Sequence, residues 1–397
     1  MDTQRRHDID TLRALAFGLV ILYHVGMYYV AGWHWHLKSP HEAAWLQMPM
    51  RALNLWRMDL VFIVSGIAFG FLARNRSFAT LVRERSVRLL VPLVFAMAVV
   101  VPFQPYAQAL ANGVVAPGFV DFLARYYTGG PWPADAFDGA DPGVTWNHLW
   151  YLPYLWLYSM VVALLLPALR SRSGERMRCS LTGLRGLQLL LLPAVPLLVY
   201  STTLWPAFKP THDLIHDGWL HAVYFTLFLY GWWVATDEGF WRETVRMRWM
   251  TLGLAVTLLG LVITVRGTTA VSGGVAQVLR WIGDLYLWAA LLTILGWARL
   301  KLDRPWPWLA RARESVYPWY ILHQTVIIVL LFWLAPLGLG PVLEPAMLVV
   351  LTVAGCWILT SLIRRSGWLR PLFGLSAPVP ARCPLPDPKA HRPAQSA

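Results

Sequence analysis

The stretch TLRALAFGLVILYHVG, residues 11–26, decides how this chain reads. It is apolar enough to cross a bilayer, yet it carries Arg13 at one end and His24 deep inside. In an α-helix their separation amounts to about three turns plus 20° and a rise of about 16 Å. The two therefore share one helix face. An ionisable group in hydrocarbon costs several kcal/mol unless it meets water or a partner. Two arrangements satisfy that demand. Either both side chains face one wet cavity, or Arg13 snorkels to the interface while His24 bonds a carbonyl of a neighbouring helix.

The rest of the chain has the same character. Of its 397 residues 57% are hydrophobic and only 14% charged, with 23 Trp. Ten apolar runs are long enough to cross a hydrocarbon core, near 10–31, 53–73, 88–107, 147–167, 187–205, 219–236, 249–266, 275–298, 316–335 and 343–363. The expected fold is an all-α polytopic membrane bundle of about ten transmembrane helices. Arginine clusters fall in every second connection: RNRSFATLVRERSVR, RSRSGERMRCSLTGLR, WRETVRMR and ARLKLDRPWPWLARARE. With both termini on that side, it holds 27 of the 34 Lys and Arg, so the termini are expected in the cytosol. The formal net charge of +13 then faces the cytosol and its anionic lipid, and no nucleic-acid partner is needed to explain it. The first span is too long for a signal-peptide core and lacks a small-residue cleavage site, so it is expected to stay as a membrane helix. One domain over 1–375 is expected, followed by a proline-rich, disordered tail over 376–397. The longest non-cytosolic connection, about 108–146, reads as an irregular, partly acidic loop. The three scattered cysteines suggest neither a disulfide framework nor a thiol catalyst.

Other polar residues interrupt the apolar pattern. LWRMDLVFIVSG brings Arg57, Asp59 and Ser65 into the second span, TWNHLWYL puts Asn147, His148 and Trp150 at the start of the fourth, and YILHQTV carries His323. Arg57 with Asp59 reads as a site pair or as an interfacial ion pair; His323 reads as a site residue or as a core histidine bonded to a carbonyl. Arg280 and Asp284 stand at i,i+4 spacing, where a structural ion pair is the simpler role. His212 and His216 in THDLIHDGWLH would share a helical face, but a metal site needs a third ligand, and none is expected.

Taken together, these segments resemble the membrane acyltransferase-three family: Arg13 and His24 match its Arg-x10-His signature, beside VFIVSG, RERSVRLLVP, NHLWYL and YILHQTV. LWRMDLVFIVSGI through HLWYL, with GWHWHLKSPHEAAW, is similar to the branch containing a succinyltransferase of osmoregulated periplasmic glucans. The resemblance implies an enzyme of the bacterial inner membrane that moves an acyl group, succinyl or acetyl, from cytosolic acyl-CoA to a carbohydrate hydroxyl outside. It implies no permanently bound cofactor. His24 would be the general base, with Asp59 orienting it and Arg57 meeting the oxyanion. Arg13, Arg83, Arg85, Arg88, Ser65 and His323 would contact acyl-CoA, and an acyl-enzyme on Ser65 or a histidine stays open as an alternative route. His34, His36, Asn147, His148 and Trp150 would bind the acceptor. Succinyl-CoA would bring a carboxylate for Arg57 or Arg280. A transporter or flippase for a glycan or lipid-linked sugar is the competing class, since it too needs ionisable groups in a bundle.

Overall fold

The structure, a computed structural model, describes residues 6–74, 76–268 and 272–376. The expected tail from 377 onward lies outside the described residues. Among the described residues sixteen α-helices follow one another: α1 (His7–Tyr29), α2 (Gln47–Asn54), α3 (Arg57–Ala73), α4 (Phe78–Val99), α5 (Phe103–Ala111), α6 (Phe119–Tyr127), α7 (Tyr151–Leu169), α8 (Arg172–Thr182), α9 (Leu187–Leu191), α10 (Val195–Thr203), α11 (Gly218–Val234), α12 (Glu238–Thr268), α13 (Gly273–Lys301), α14 (Leu309–Leu334), α15 (Gly340–Arg365) and α16 (Leu369–Leu372). Among the described residues there is no strand, only an isolated bridge between Val30 and Ala43. The protein is an all-helical polytopic membrane bundle.

Eight helical segments among the described residues are long and apolar enough to cross a membrane, or nine if the pair Arg172–Thr182 and Leu187–Thr203, bent by 110°, counts as one. Ten were expected. The difference lies at 187–205 and 219–236. Pro193 and Pro196 break the first into short pieces, because proline cannot donate to the helix ladder. The second is α11, whose 17 residues sit at the short end of what spans hydrocarbon.

Ion pairs show which helix ends lie together. Arg299, at the end of α13, reaches Asp303 at 2.7 Å, Glu238 at the start of α12 at 3.1 Å and Asp8 at the start of α1 at 3.9 Å. Arg313 on α14 reaches Asp10 at 3.6 Å, and Arg170 at the end of α7 donates to the Ala73 carbonyl at the end of α3. Each exposed pair contributes little stability, but together they define one basic face of the bundle.

Glycine sets the closest helix crossing. A Cβ on Gly66 of α3 would stand 2.0 Å from the Phe228 carbonyl oxygen of α11, and one on Gly231 would stand 2.1 Å from that of Ile63. Only hydrogen fits at either place, and in lipid such close backbone approach is what holds helices together. At the opposite end the 108–146 connection is less irregular than expected. It contains α6, whose Phe122 and Tyr126 pack against Phe137.

Candidate active site

A cavity of about 750 Å³ opens at the end of the bundle opposite the basic face. Its lining includes His24 from α1, Arg57 and Asp59 from the start of α3, and Asp284 from α13. Trp33, Trp150, Trp205 and Trp219 supply aromatic wall. Four side chains expected at the site, His24, Arg57, Asp59 and Trp150, are therefore brought together.

His24 is held by a second imidazole. Its Nδ1 stands 2.9 Å from Nε2 of His323. The opposite nitrogen of His323, Nδ1, lies 3.0 Å from the Trp319 carbonyl oxygen and 2.9 Å from that of Tyr320. Carbonyl oxygens only accept, so Nδ1 of His323 carries its hydrogen and Nε2 of the neutral ring accepts. His24 must then donate through Nδ1, which leaves the lone pair on its Nε2 bare. This fixes the tautomer a general base requires.

Two expected roles change as a result. His323, not Asp59, orients His24. His323 itself is fully buried with both nitrogens engaged and is not part of the cavity lining. Arg57 is 8% exposed, with its guanidinium carbon 3.4 Å over the Tyr23 ring. Its Nε and Nη1 are buried without a hydrogen-bond partner, and it forms no ion pair with Asp59. Arg280 likewise does not pair with Asp284; it donates to Gln277 at 2.6 Å.

The residues expected to bind the acceptor divide. Trp150 lines the cavity and packs against His212 at 4.3 Å between ring centres. His34, His36, Asn147 and His148 do not line it. His36 is 4% exposed and bonds Gln108 at 2.6 Å and Asn147 at 3.1 Å. Gln324 donates to His36 at 3.0 Å and to Gln104 at 3.0 Å. His148 donates through Nε2 to the Tyr320 and Ile321 carbonyls, both at 3.2 Å. His34 meets Asp138 at 2.9 Å. Burial works against the charge on Asp138, yet His36, His34 and the Gln108 amide together hold its carboxyl below the usual range. These side chains tie the 108–146 connection to the bundle behind His323 and stand outside the lining of the His24 cavity.

The His212 segment is a turn and not the expected helix. His212 has φ +60, and buried Asp217 accepts from the backbone N–H groups of Thr211 and His212. His216 is taken by Asp213 at 2.6 Å, and His221 by Tyr158 and the Leu214 carbonyl. Among the described residues no three His, Cys, Asp or Glu side chains converge as metal ligands would.

Arg13 occupies a different compartment from His24. It is not part of the cavity lining, and its electrostatic neighbours are Arg85, Arg88, Tyr151 and Tyr317. Arg85 donates to Ser159 at 3.1 Å, and Ser65 shares a hydrogen bond of 2.5 Å with Tyr151. The hydroxyl of Ser65 thus adjoins a phenol and not an imidazole that could activate it. Arg83 is exposed and stands apart, since its i,i+2 spacing from Arg85 turns it to another side of α4. Between the two compartments Phe17 packs edge-on against Tyr151 and Tyr320, with centroids 6.3 and 5.4 Å away. On the helix face that Arg13 and His24 share, these three rings stand between the two residues, and the cavity lining does not extend to Arg13.

A family model described as an acyltransferase domain matches residues 6–361. The chain belongs to the acyltransferase-three family. No curated protein and no solved structure matches it. In this membrane acyltransferase the family match spans both the His24 cavity and the Arg13 compartment. Arg51, Arg266, Trp33, Trp205 and Trp219 escaped the sequence reading as site residues, because they come from separate stretches of the chain with no common spacing and only the folded bundle brings them to one cavity.

Proposed function

We propose that this acyltransferase moves an acyl group from cytosolic acyl-CoA to a hydroxyl of an exported carbohydrate, with His24 as general base. The observation that carries the reading is the bare Nε2 of His24 at the floor of an aromatic-walled cavity. Flat indole faces suit sugar rings, and a neutral imidazole suits removal of a hydroxyl proton. The proton passes to His24 Nε2 as the hydroxyl oxygen attacks the thioester carbonyl. The imidazolium, still donating through Nδ1 to His323, gives that proton to the thiolate as the C–S bond breaks. Ester and free thiol form with no net proton exchanged. Arg57, whose guanidinium belongs to the cavity lining, supplies positive charge for the oxyanion.

Arg13, Arg85 and Arg88 are the residues for the CoA phosphates, since a guanidinium fork pairs with phosphate oxygens. The pantetheine arm reaches His24 by parting Phe17, Tyr151 and Tyr320. The location is the bacterial inner membrane, and the resemblance to the glucan succinyltransferase branch favours succinyl transfer to a periplasmic glucan.

The test mixes purified protein with succinyl-CoA or acetyl-CoA and a soluble glucan, following free thiol and product mass. Glucan-dependent thiol release and an acylated glucan are expected. Sugar flux across vesicles without thiol release would favour a transporter instead.

A further inference from the structure

Of the 34 Lys and Arg, seven fall on the side opposite the arginine-rich connections: Lys38, Arg51, Arg57, Arg125, Lys209, Arg266 and Arg280. Positive charge is scarce there, as expected of a non-cytosolic face. Four of the seven, Arg51, Arg57, Arg266 and Arg280, line the one cavity that holds His24. Lys38 by contrast pairs with Glu42 at 3.4 Å, and Arg125 donates to the Pro131 carbonyl at 2.6 Å.

The cavity arginines are not neutralised. Among the described residues none of the four forms an ion pair with a carboxylate, although Asp59 and Asp284 line the same cavity. Arg266 has both Arg51 and Arg280 as electrostatic neighbours and is repelled by each. Nε of Arg280 is buried without a partner, as are Nε and Nη1 of Arg57. An anion in the cavity would meet four guanidinium groups of its lining, none of them taken by a carboxylate. Beside them, Trp205 and Trp219 meet edge to face at 4.7 Å, and Arg51 lies 5.8 Å over Trp33. Sugar-binding aromatic surface and empty anion donors therefore share one chamber.

We propose that the acceptor is an anionic carbohydrate, whose phosphate or carboxylate is held by Arg51, Arg266 and Arg280 while the tryptophans hold its sugar and present a hydroxyl to His24. This rests on the reading of the cavity as the acceptor site. A phosphate on the carbohydrate and a lipid headgroup phosphate would meet the same donors; the aromatic wall and the presence of His24 in the same lining favour the carbohydrate.

The experiment uses full-length protein in phosphatidylcholine nanodiscs, with tryptophan fluorescence titrated by maltose, maltose 1-phosphate and inorganic phosphate. Maltose 1-phosphate is expected to bind at least about tenfold tighter than maltose, as two charge-assisted hydrogen bonds would give. The advantage should shrink as salt rises and vanish in the R51Q/R266Q/R280Q variant, with partial recovery in the corresponding triple lysine variant. Arg51 and Arg266 are exposed and Arg280 half-buried, so these changes leave the packed interior intact. Equal affinity for the two sugars, or a preference that the glutamine variant retains, would overturn the proposal. So would loss of maltose 1-phosphate binding when phosphatidylglycerol is added to the discs, because the headgroup would then be the occupant. Protein that keeps the preference but releases no thiol from acyl-CoA supports the anion site and contradicts only the transferase reading. Protein that transfers acyl groups without the preference overturns the anion site alone.

Discussion

At the scale of single residues, the behaviour of His24 is set by a neighbour three hundred positions away in sequence. Trp319 and Tyr320 carbonyls fix the hydrogen on His323, and His323 in turn fixes the hydrogen on His24. Replacing His323 by Ala should lower the rate of thiol release about 10²-fold while leaving KM for acyl-CoA unchanged, since the base remains but its tautomer and orientation are lost. His323→Gln should recover part of the rate, because its amide oxygen can accept from His24 Nδ1. Loss of folded protein or a rise in donor KM with unchanged turnover would instead mark His323 as structural or donor-binding. The sequence made the shared face of Arg13 and His24 legible through helical periodicity alone. It could not reveal that Phe17, on the same face between them, meets Tyr151 and Tyr320 from other helices. A side chain's volume becomes a barrier only in the company of its tertiary neighbours.

At the scale of elements, α3 carries the site because α11 lets it approach so closely. Gly66→Leu should destabilise the protein by about 1–3 kcal/mol or more, through a clash with the Phe228 backbone that no rotamer avoids. Thermal unfolding in detergent checks this, and an unchanged midpoint would mean that the two helices pack differently. The proposed path of the donor arm past Phe17 makes a kinetic prediction. Phe17→Trp should slow thiol release several-fold at saturating acceptor by filling the passage further, whereas Arg85→Gln should chiefly raise KM for acyl-CoA by removing a phosphate donor. Stopped-assay kinetics with varied acyl-CoA separate the two outcomes. Apolar length identified most spans correctly. At 187–205 proline breaks the apolar run into short, bent pieces, and at 219–236 the helix is only 17 residues long, so these two runs differ most from the continuous spans expected.

At the scale of the whole molecule, charge distribution carries the argument. The ion pairs joining the starts of α1 and α12 to the end of α13, and the start of α14 to that of α1, agree with the alternation of arginine-rich connections in the sequence. A cysteine replacing Lys209 should be labelled by an impermeant thiol reagent from outside the cell, and one replacing Arg311 only after the membrane is opened. The reverse pattern would invert the proposed path of the acyl group. The same count of charges that gave the orientation also contained the cavity's arginines. Four scarce outer cations drawn from α2, α3, α12 and α13 have no common spacing, so only the folded bundle shows that they converge.

The most direct measurement is free-thiol release from acyl-CoA by purified His24→Gln protein whose thermal unfolding matches the parent. The account predicts a loss of about 10²-fold to 10⁴-fold, the usual contribution of a positioned general base. Parent-like turnover in that folded variant would contradict it.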